Sequence, residues 1–299
     1  MACDSSREGD CMIPSKFDYV VARSLDQALQ LLGKHGTDAK ILSGGHSLIP
    51  LMKFRLATPS VVVDVGRLSD LRFIREEEED IVVGGLATHH MLESSALLLE
   101  KAPVLSMAAA RVGDVQVRNR GTIGGSLVHA DPAADLPAAV LALNARIKVV
   151  GAGGEREIPA DRFFVGMLES AVRPDEILTE VRVRKSDAGN GAAYLKVPQP
   201  ASGFAVVGIA TTLSWAGGTC AGIRIGVTGV GQKPYRAAEV ESRLMRTSLD
   251  GEALRSACAR TAEGVDVLSD IHASAEYRKE LAAIYTRRCV EAAAARARG

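Results

Sequence analysis

The sequence predicts an α/β (α+β) chain in two parts. Three observations carry that reading. Strand-like apolar runs alternate with helical patterns up to residue 184, a block of strands precedes a block of helices after residue 191, and Ser186-Asp187-Ala188-Gly189-Asn190-Gly191 between them is the strongest linker signal. At 299 residues the chain has room for two domains, since domain sizes centre on roughly 100 to 150 residues.

Taken in order, residues 1–12 are expected to be a flexible N-terminal extension, because Asp4, Arg7, Glu8 and Asp10 leave no hydrophobic period. Residues 17–20 read as a strand. Ser24 is a good N-cap for a helix whose apolar positions Leu25, Ala28, Leu29 and Leu32 recur at helical spacing, and Gly33 can stop it. Residues 40–42 and 61–65 are strand candidates, and the acidic run over residues 76–80 reads as a solvated turn ahead of a strand at 81–85. Thr88 can cap a helix carrying Met91, Leu92, Ser95 and Leu98, and a second helix runs through Leu105, Ala108 and Val112.

Asp131-Pro132-Ala133-Ala134-Asp135 has the acid and proline of a helix start, with Leu136, Val140 and Leu143 on the apolar face. Residues 147–150 and 155–158 flank a glycine-rich turn as a hairpin, and residues 177–184 alternate as a strand. Beyond the linker, residues 192–197, 204–215 and 220–230 read as strands, and 237–245, 251–263 and 275–296 as helices. Such a block order suggests a sheet with helices on one face.

Two stretches of small residues stand out: Ser43-Gly44-Gly45-His46-Ser47, running into Leu48, and Thr122-Ile123-Gly124-Gly125-Ser126. Paired glycines let the backbone take positive φ, gather successive N–H groups into one concavity, and leave no Cβ between those donors and an anion. A single Gly-Gly is ordinarily a tight turn. Two in one half of the chain, each with hydroxyl residues beside it, point to the two phosphates of a dinucleotide. Neither stretch has the G-x-G-x-x-G or Gly-Lys-Ser/Thr pattern, so a dinucleotide would be held in another way.

Composition narrows the remaining choices. Hydrophobic residues make up 47% of the chain, and Lys plus Arg equals Asp plus Glu at 36 each. That balance argues against nucleic acid or anionic lipid as a partner. The five cysteines, at 3, 11, 220, 258 and 289, have no metal or redox spacing, and the six histidines form no H-E-x-x-H. No metal site is expected in this chain, and neither Ser47 nor Ser126 sits in a G-x-S-x-G elbow. With no apolar run of about 18 residues and no signal-peptide pattern, a cytoplasmic protein without a membrane span is expected.

Ser-Gly-Gly-His-Ser-Leu-Ile-Pro-Leu-Met-Lys at 43–53, and Arg-Asn-Arg-Gly-Thr-Ile-Gly-Gly-Ser-Leu at 118–127 followed by Asp131-Pro132-Ala133-Ala134-Asp135-Leu136-Pro137, closely resemble the two FAD-binding signatures of medium, flavin-carrying subunits of the carbon monoxide dehydrogenase and xanthine dehydrogenase (molybdenum hydroxylase) family. The resemblance runs from about Met12 into the C-terminal third. It implies an FAD-binding domain at 13–187, made of two α/β subdomains of the PCMH or vanillyl-oxidase-like type. A C-terminal α+β domain at 191–297, with a small antiparallel sheet and helices, would close over the flavin.

The resemblance also implies FAD contacts at Ser43, Gly44, Gly45, His46, Ser47 and Leu48, and at Thr122, Ile123, Gly124, Gly125 and Ser126. His46 serves either by direct phosphate contact or by bonding its own loop. Asp135, read alone, is a helix-start acid or a partner for a cofactor hydroxyl; relatives place the matching acid near the ribose or adenine. Tyr194 and Lys196 alternate on one strand and share a face, and in relatives a Tyr-x-Lys lies beside the flavin ring. The implied activity is electron transfer to an external acceptor. Molybdenum-pterin would sit in a large partner subunit and [2Fe–2S] clusters in a small one, assembled as a dimer of heterotrimers. A free-standing flavoenzyme of the vanillyl-oxidase-like group and a non-redox nucleotide-binding module are the alternatives.

Overall fold

The computed structural model describes residues 12–298. The expected extension over residues 1–12 lies outside them except for Met12. The chain begins with a parallel three-stranded sheet built from β1 (Asp18–Val21), β2 (Ala39–Leu42) and β3 (Val61–Asp64), in the order β1-β3-β2. Helix α1 (Leu25–His35) joins the first two strands and α2 (Leu48–Lys53) the next two. Ser24 caps α1 as its sequence position implies, accepting from the Gln27 N–H at 3.1 Å. Gly33 does not stop the helix, which runs on to Gly36; that residue has φ +55° and donates its N–H to the Leu32 carbonyl. A glycine without a left-handed φ is tolerated inside a helix, whereas the terminating residue needs one.

A five-stranded antiparallel sheet follows. Its strands are β4 (Ile74–Glu77), β5 (Asp80–Gly84), β6 (Arg146–Gly151), β7 (Gly154–Pro159) and β10 (Glu176–Arg184), in the order β4-β5-β10-β6-β7, with a small hairpin of β8 (Phe164–Gly166) and β9 (Glu169–Ser170) in between. The acidic run is only partly a turn. Glu76 and Glu77 belong to β4, where Glu76 meets Lys101 and Lys185 at 2.6 and 2.9 Å and Glu77 meets Arg182 at 2.8 Å.

Six helices cross over between β5 and β6: α3 (His89–Ser94), α4 (Ala96–Lys101), α5 (Pro103–Ala109), α6 (Val115–Arg120), α7 (Ile123–His129) and α8 (Asp135–Ala142). The single helix expected from Thr88 breaks in two at Ser95, whose hydroxyl caps α4 by accepting from Leu98 N–H at 3.3 Å. Helix α8 is buried on every side, in one core with Ile81, Leu105, Leu127, Ile147 and Val181.

The chain ends in an antiparallel sheet of β11 (Gly191–Pro198), β12 (Ala205–Ala216), β13 (Thr219–Thr228) and β14 (Tyr235–Arg236), with α9 (Ala238–Leu244), α10 (Gly251–Cys258) and α11 (Ala275–Arg298). Its own helices α9, α10 and α11 pack on one face of this sheet, as the block order suggests, and α8 of the first half of the chain covers the other. Ala192, Tyr194 and Ala210 face the core that contains α8, while Ala193, Val207 and Ile209 face the core that contains α11. Strand β12 is apolar at nearly every position, so neither face could be left in water. Glycine permits the closest approach, because a Cβ on Gly226 would fall on the Ala138 carbonyl of α8. The linker signal at 186–191 marks a short 3₁₀ turn, in which Asp187 holds Arg224 at 3.0 Å and Asn144 at 3.3 Å. Among the described residues, no helix is long and apolar enough to cross a membrane.

Candidate functional site

The first glycine stretch leaves β2 as a true loop. Its base is fixed where Val65 N–H donates to Leu42 at 2.9 Å, and its end where Ile49 N–H donates to Gly45 at 3.1 Å. Gly45 has φ +81°, a conformation that a side chain would strain. Among the described residues, the N–H groups of Gly44, Gly45, His46 and Ser47 find no protein acceptor. Four successive donors left free on a loop that lines a cavity are the makings of an anion nest.

The second stretch is built differently from the loop its composition suggests. It is the beginning of α7, with Thr122 as N-cap accepting from Gly125 N–H at 3.1 Å. Ile123 N–H donates to Ala87 at 3.0 Å and Gly124 N–H to Gly85 at 2.9 Å, so these donors are already engaged. Gly124 is needed for close approach: an added Cβ would stand 2.6 Å from the Gly85 carbonyl oxygen. The first stretch therefore supplies the free donors, and the second supplies a wall with the hydroxyls of Thr122 and Ser126.

The two meet directly. Ser43 Oγ lies 3.0 Å from Thr122 Oγ1, and a Cβ on Gly44 would come within 2.8 Å of Gly121 Cα. Between them opens a cleft of about 650 Å³, lined by Ser43, Gly44, Gly45, His46, Ser47 and Leu48 on one side and Thr122, Gly124, Gly125 and Ser126 on the other. Asp135 reaches it from the start of α8. His46 is exposed at its rim. Among the described residues, no group of three or more His, Cys, Asp or Glu side chains is placed to hold a metal ion.

Three expected contact residues stand behind the cleft instead of lining it. Ile123 points into the core as the first residue of α7. Tyr194 and Lys196, each 7% exposed, turn to one face of β11 as expected, but that face is filled by Asp135. The Tyr194 hydroxyl donates to Asp135 Oδ1, and Lys196 Nζ lies 2.8 Å from Oδ1 and 3.0 Å from Oδ2. Lys196 also donates to the carbonyls of Arg111 and Gly203, at 2.6 and 2.7 Å.

Burial pushes the Asp135 carboxyl up and the Lys196 amine down, each opposed by the charge of the other. The geometry decides in favour of the ion pair. Three acceptors surround Nζ, and only an ammonium has three N–H groups to give them. Burial, and then the Asp135 charge, holds Tyr194 well above its ordinary range, so it remains a neutral donor.

Residues 15–185 match a family model described as the FAD binding domain in molybdopterin dehydrogenase, and residues 192–293 match one described as the CO dehydrogenase flavoprotein C-terminal domain. The chain is 40% identical over 287 residues to the carbon monoxide dehydrogenase medium chain of Afipia carboxidovorans, covering 96% of this chain and 100% of that one. The chain belongs to the FAD-binding medium subunits of molybdenum hydroxylases. It is also 39% identical to the 6-hydroxypseudooxynicotine dehydrogenase complex subunit alpha of Paenarthrobacter nicotinovorans, over 96% of this chain and 97% of that one. Among solved structures, carbon monoxide dehydrogenase from Hydrogenophaga pseudoflava, in a form lacking the Mo-pyranopterin moiety, superposes with a TM-score of 0.92 at 38% identity, covering 95% and 99% of the two chains.

The cleft of this medium subunit suits FAD. Its four N–H groups without a protein acceptor are donors of the kind a pyrophosphate needs, and the approach of Gly44 to Gly121 leaves no room there for a side chain. Two of the lining residues that the sequence did not single out carry chemistry of their own. Phe204, 40% exposed and immediately before β12, is the sole Phe, Tyr or Trp among the lining residues. The available signal was an aromatic directly after a turn. His89, 4% exposed, also lines the cleft, and burial together with the His46 and Arg118 charges pushes its pKa down to about 4.

Proposed function

We propose that this subunit holds FAD in the cleft between residues 43–48 and 122–126 and passes electrons from [2Fe–2S] clusters of a small partner to an external acceptor. A large partner would oxidise the substrate at molybdenum-pterin, within a dimer of heterotrimers. The observation that carries the reading is the row of four free N–H groups closed over by the Ser43–Thr122 hydroxyl contact at 3.0 Å.

When bound, FAD supplies the redox chemistry, and the protein supplies placement and electrostatics. In this reading, residues 44–47 donate to phosphate oxygens, and Thr122, Gly124, Gly125 and Ser126 form the opposite wall. Asp135, its charge fixed by Lys196, offers remaining lone pairs to a cofactor hydroxyl. Phe204 flanks the ring system, while Tyr194 and Lys196 act from behind by holding Asp135. The flavin-binding domain would comprise residues 13–187 and the closing domain residues 191–297. Cys220, Cys258 and Cys289 are free and buried, which suits a cytoplasmic setting.

The test uses the purified chain and then the three-subunit complex. The chain alone should carry a flavin spectrum, bleach with dithionite and recover with an acceptor, yet show no substrate-dependent dye reduction until both partners are present. Robust turnover by the chain alone would replace this reading with a free-standing flavoenzyme, and a nucleotide-bound chain without flavin absorbance would replace it with a non-redox module.

A further inference from the structure

His89 occupies the first position of α3, directly behind the junction of the two glycine stretches. Its main-chain N–H donates to the Gly121 carbonyl at 2.9 Å, and the preceding Thr88 pairs with Thr122 across an isolated antiparallel bridge. The ring edge bearing Cδ2 and Nε2 packs so near Gly121 that a Cβ there would stand 2.7 Å from both atoms. Gly121 is also the residue against which Gly44 closes. Imidazole, second stretch and first loop therefore form one stack.

The hydrogen-bonding state of the ring is unusual. Nδ1 is sealed from solvent and has no partner. Buried polar atoms without a partner are few in native structures, and each calls for an explanation. Nε2 finds no protein partner among the described residues either, but it is not among the sealed atoms, and His89 lines the cleft. A neutral imidazole has one N–H and one lone pair. An orphaned N–H is rarer than an under-satisfied acceptor, so the lone pair belongs on sealed Nδ1 and the N–H on Nε2, the nitrogen beside Gly121, which itself lines the cleft. The depressed pKa keeps the ring neutral near pH 7.

We propose that His89 is a further binding residue of the cleft, donating from Nε2–H to an oxygen of the bound dinucleotide where the two glycine stretches meet. This rests on the reading that the cleft holds FAD. A neutral donor there adds a directed hydrogen bond without a charge that varies near pH 7, and it complements a wall whose own N–H groups are engaged.

The experiment follows imidazole nitrogen resonances in deflavinated wild-type protein carrying isotope-labelled histidine as FAD is added, with dissociation constants measured for wild type, His89→Phe and His89→Gln. The proposal expects the His89 Nε2 resonance to move on binding while Nδ1 keeps its unprotonated shift. It expects His89→Phe, which keeps ring volume, to weaken FAD binding about tenfold or more, within reach of one lost hydrogen bond to an anion. His89→Gln should recover part of the loss. Wild type that binds FAD with an unmoved Nε2 resonance overturns this proposal alone, as does wild-type affinity in His89→Phe. Wild type that fails to bind FAD overturns the cleft reading together with it.

Discussion

Replacing Gly44 by Ala places the smallest side chain where the glycine stretches touch. Its methyl would stand 2.8 Å from Gly121 Cα and nearer still to the Arg120 carbonyl oxygen, whereas real Cβ contacts do not go below 3.0 Å and ordinary ones begin at 3.4 Å. Both obstacles are backbone, so neither can rotate aside. The stretches must part by more than half an ångström, which pulls on the Ser43–Thr122 contact. Overpacking of this kind costs about 1–3 kcal/mol. Charged against the closed cleft, it lowers apparent FAD affinity by roughly 5- to 150-fold. Flavin absorbance per protein after dialysis, together with a fluorescence titration, reads the effect. The control is Gly33→Ala on α1, where a Cβ meets nothing within 4 Å; it should leave FAD unchanged and add about 0.5–1 kcal/mol of stability. A Gly44→Ala protein with a full flavin complement and the wild-type dissociation constant would refute the two-stretch cleft.

Lys196→Met strands the buried Asp135 carboxylate and should cost about 3–5 kcal/mol in chemical denaturation, most of it recovered by adding Asp135→Asn; equal stability of the single and double variants would show that the pair carries no charge. Tyr194→Phe should keep FAD and its fluorescence, because the ring lies behind the cleft, while Phe204→Ala should weaken retention; the reverse pattern would return Tyr194 to the flavin. For His89, the folded pKa of about 4 lies below the ordinary 6.5, so the unfolded chain takes up a proton first as pH falls. The stabilisation is complete above pH 6.5 and is lost on the way down through pH 4, by about 3 kcal/mol at most. Urea melts of wild type and His89→Gln should therefore converge as pH falls across that window, and parallel curves would contradict the buried neutral ring.

Elements with a strong local period were legible. The hairpin β6–β7, strand β10 and helix α8 fall within a residue or two of where alternation, turn glycines and Asp135 put them. The paired glycines also marked the cleft, since their chemistry is local to the backbone. What local pattern missed depends on distant partners. Residues 122–126 read as a loop because two adjacent glycines are poor helix formers, and it takes Thr122 as cap with Gly85 and Ala87 as acceptors to make them a helix start. The alternation in β11 placed Tyr194 and Lys196 on one face and the resemblance alone put them beside the flavin ring, whereas nothing in β11 announces that Asp135, about 60 residues earlier, takes up their polar atoms. His89 was legible only as one of six histidines without an H-E-x-x-H pattern, because its packing against Gly121 is not visible in the local sequence.

The position of Asp135 shows why the cleft is a product of both halves of the chain. Ala205 N–H donates to Ala133 at 3.0 Å, Gly229 N–H to Pro132 at 2.6 Å, and the Thr228 hydroxyl reaches the carbonyls of Pro132 and Ala134, each at 2.7 Å. These bonds come from the ends of β12 and β13 and hold the turn that delivers Asp135. The strand ends are held in turn by Arg278 of α11, which is 2% exposed, donates from Nη1 to the carbonyls of Val206 and Gly229, and pairs with Asp270 at 2.7 Å. Burying a guanidinium is costly, and an apolar side chain of similar volume would often serve a core better. No apolar side chain could satisfy two strand-end carbonyls and an acid at once. The charge on α11 thus fixes the strand ends, the strand ends fix residues 132–134, and those residues set the acid at the cleft. The two family matches divide the sequence between residues 185 and 192, yet the forces that shape the cleft run across that division.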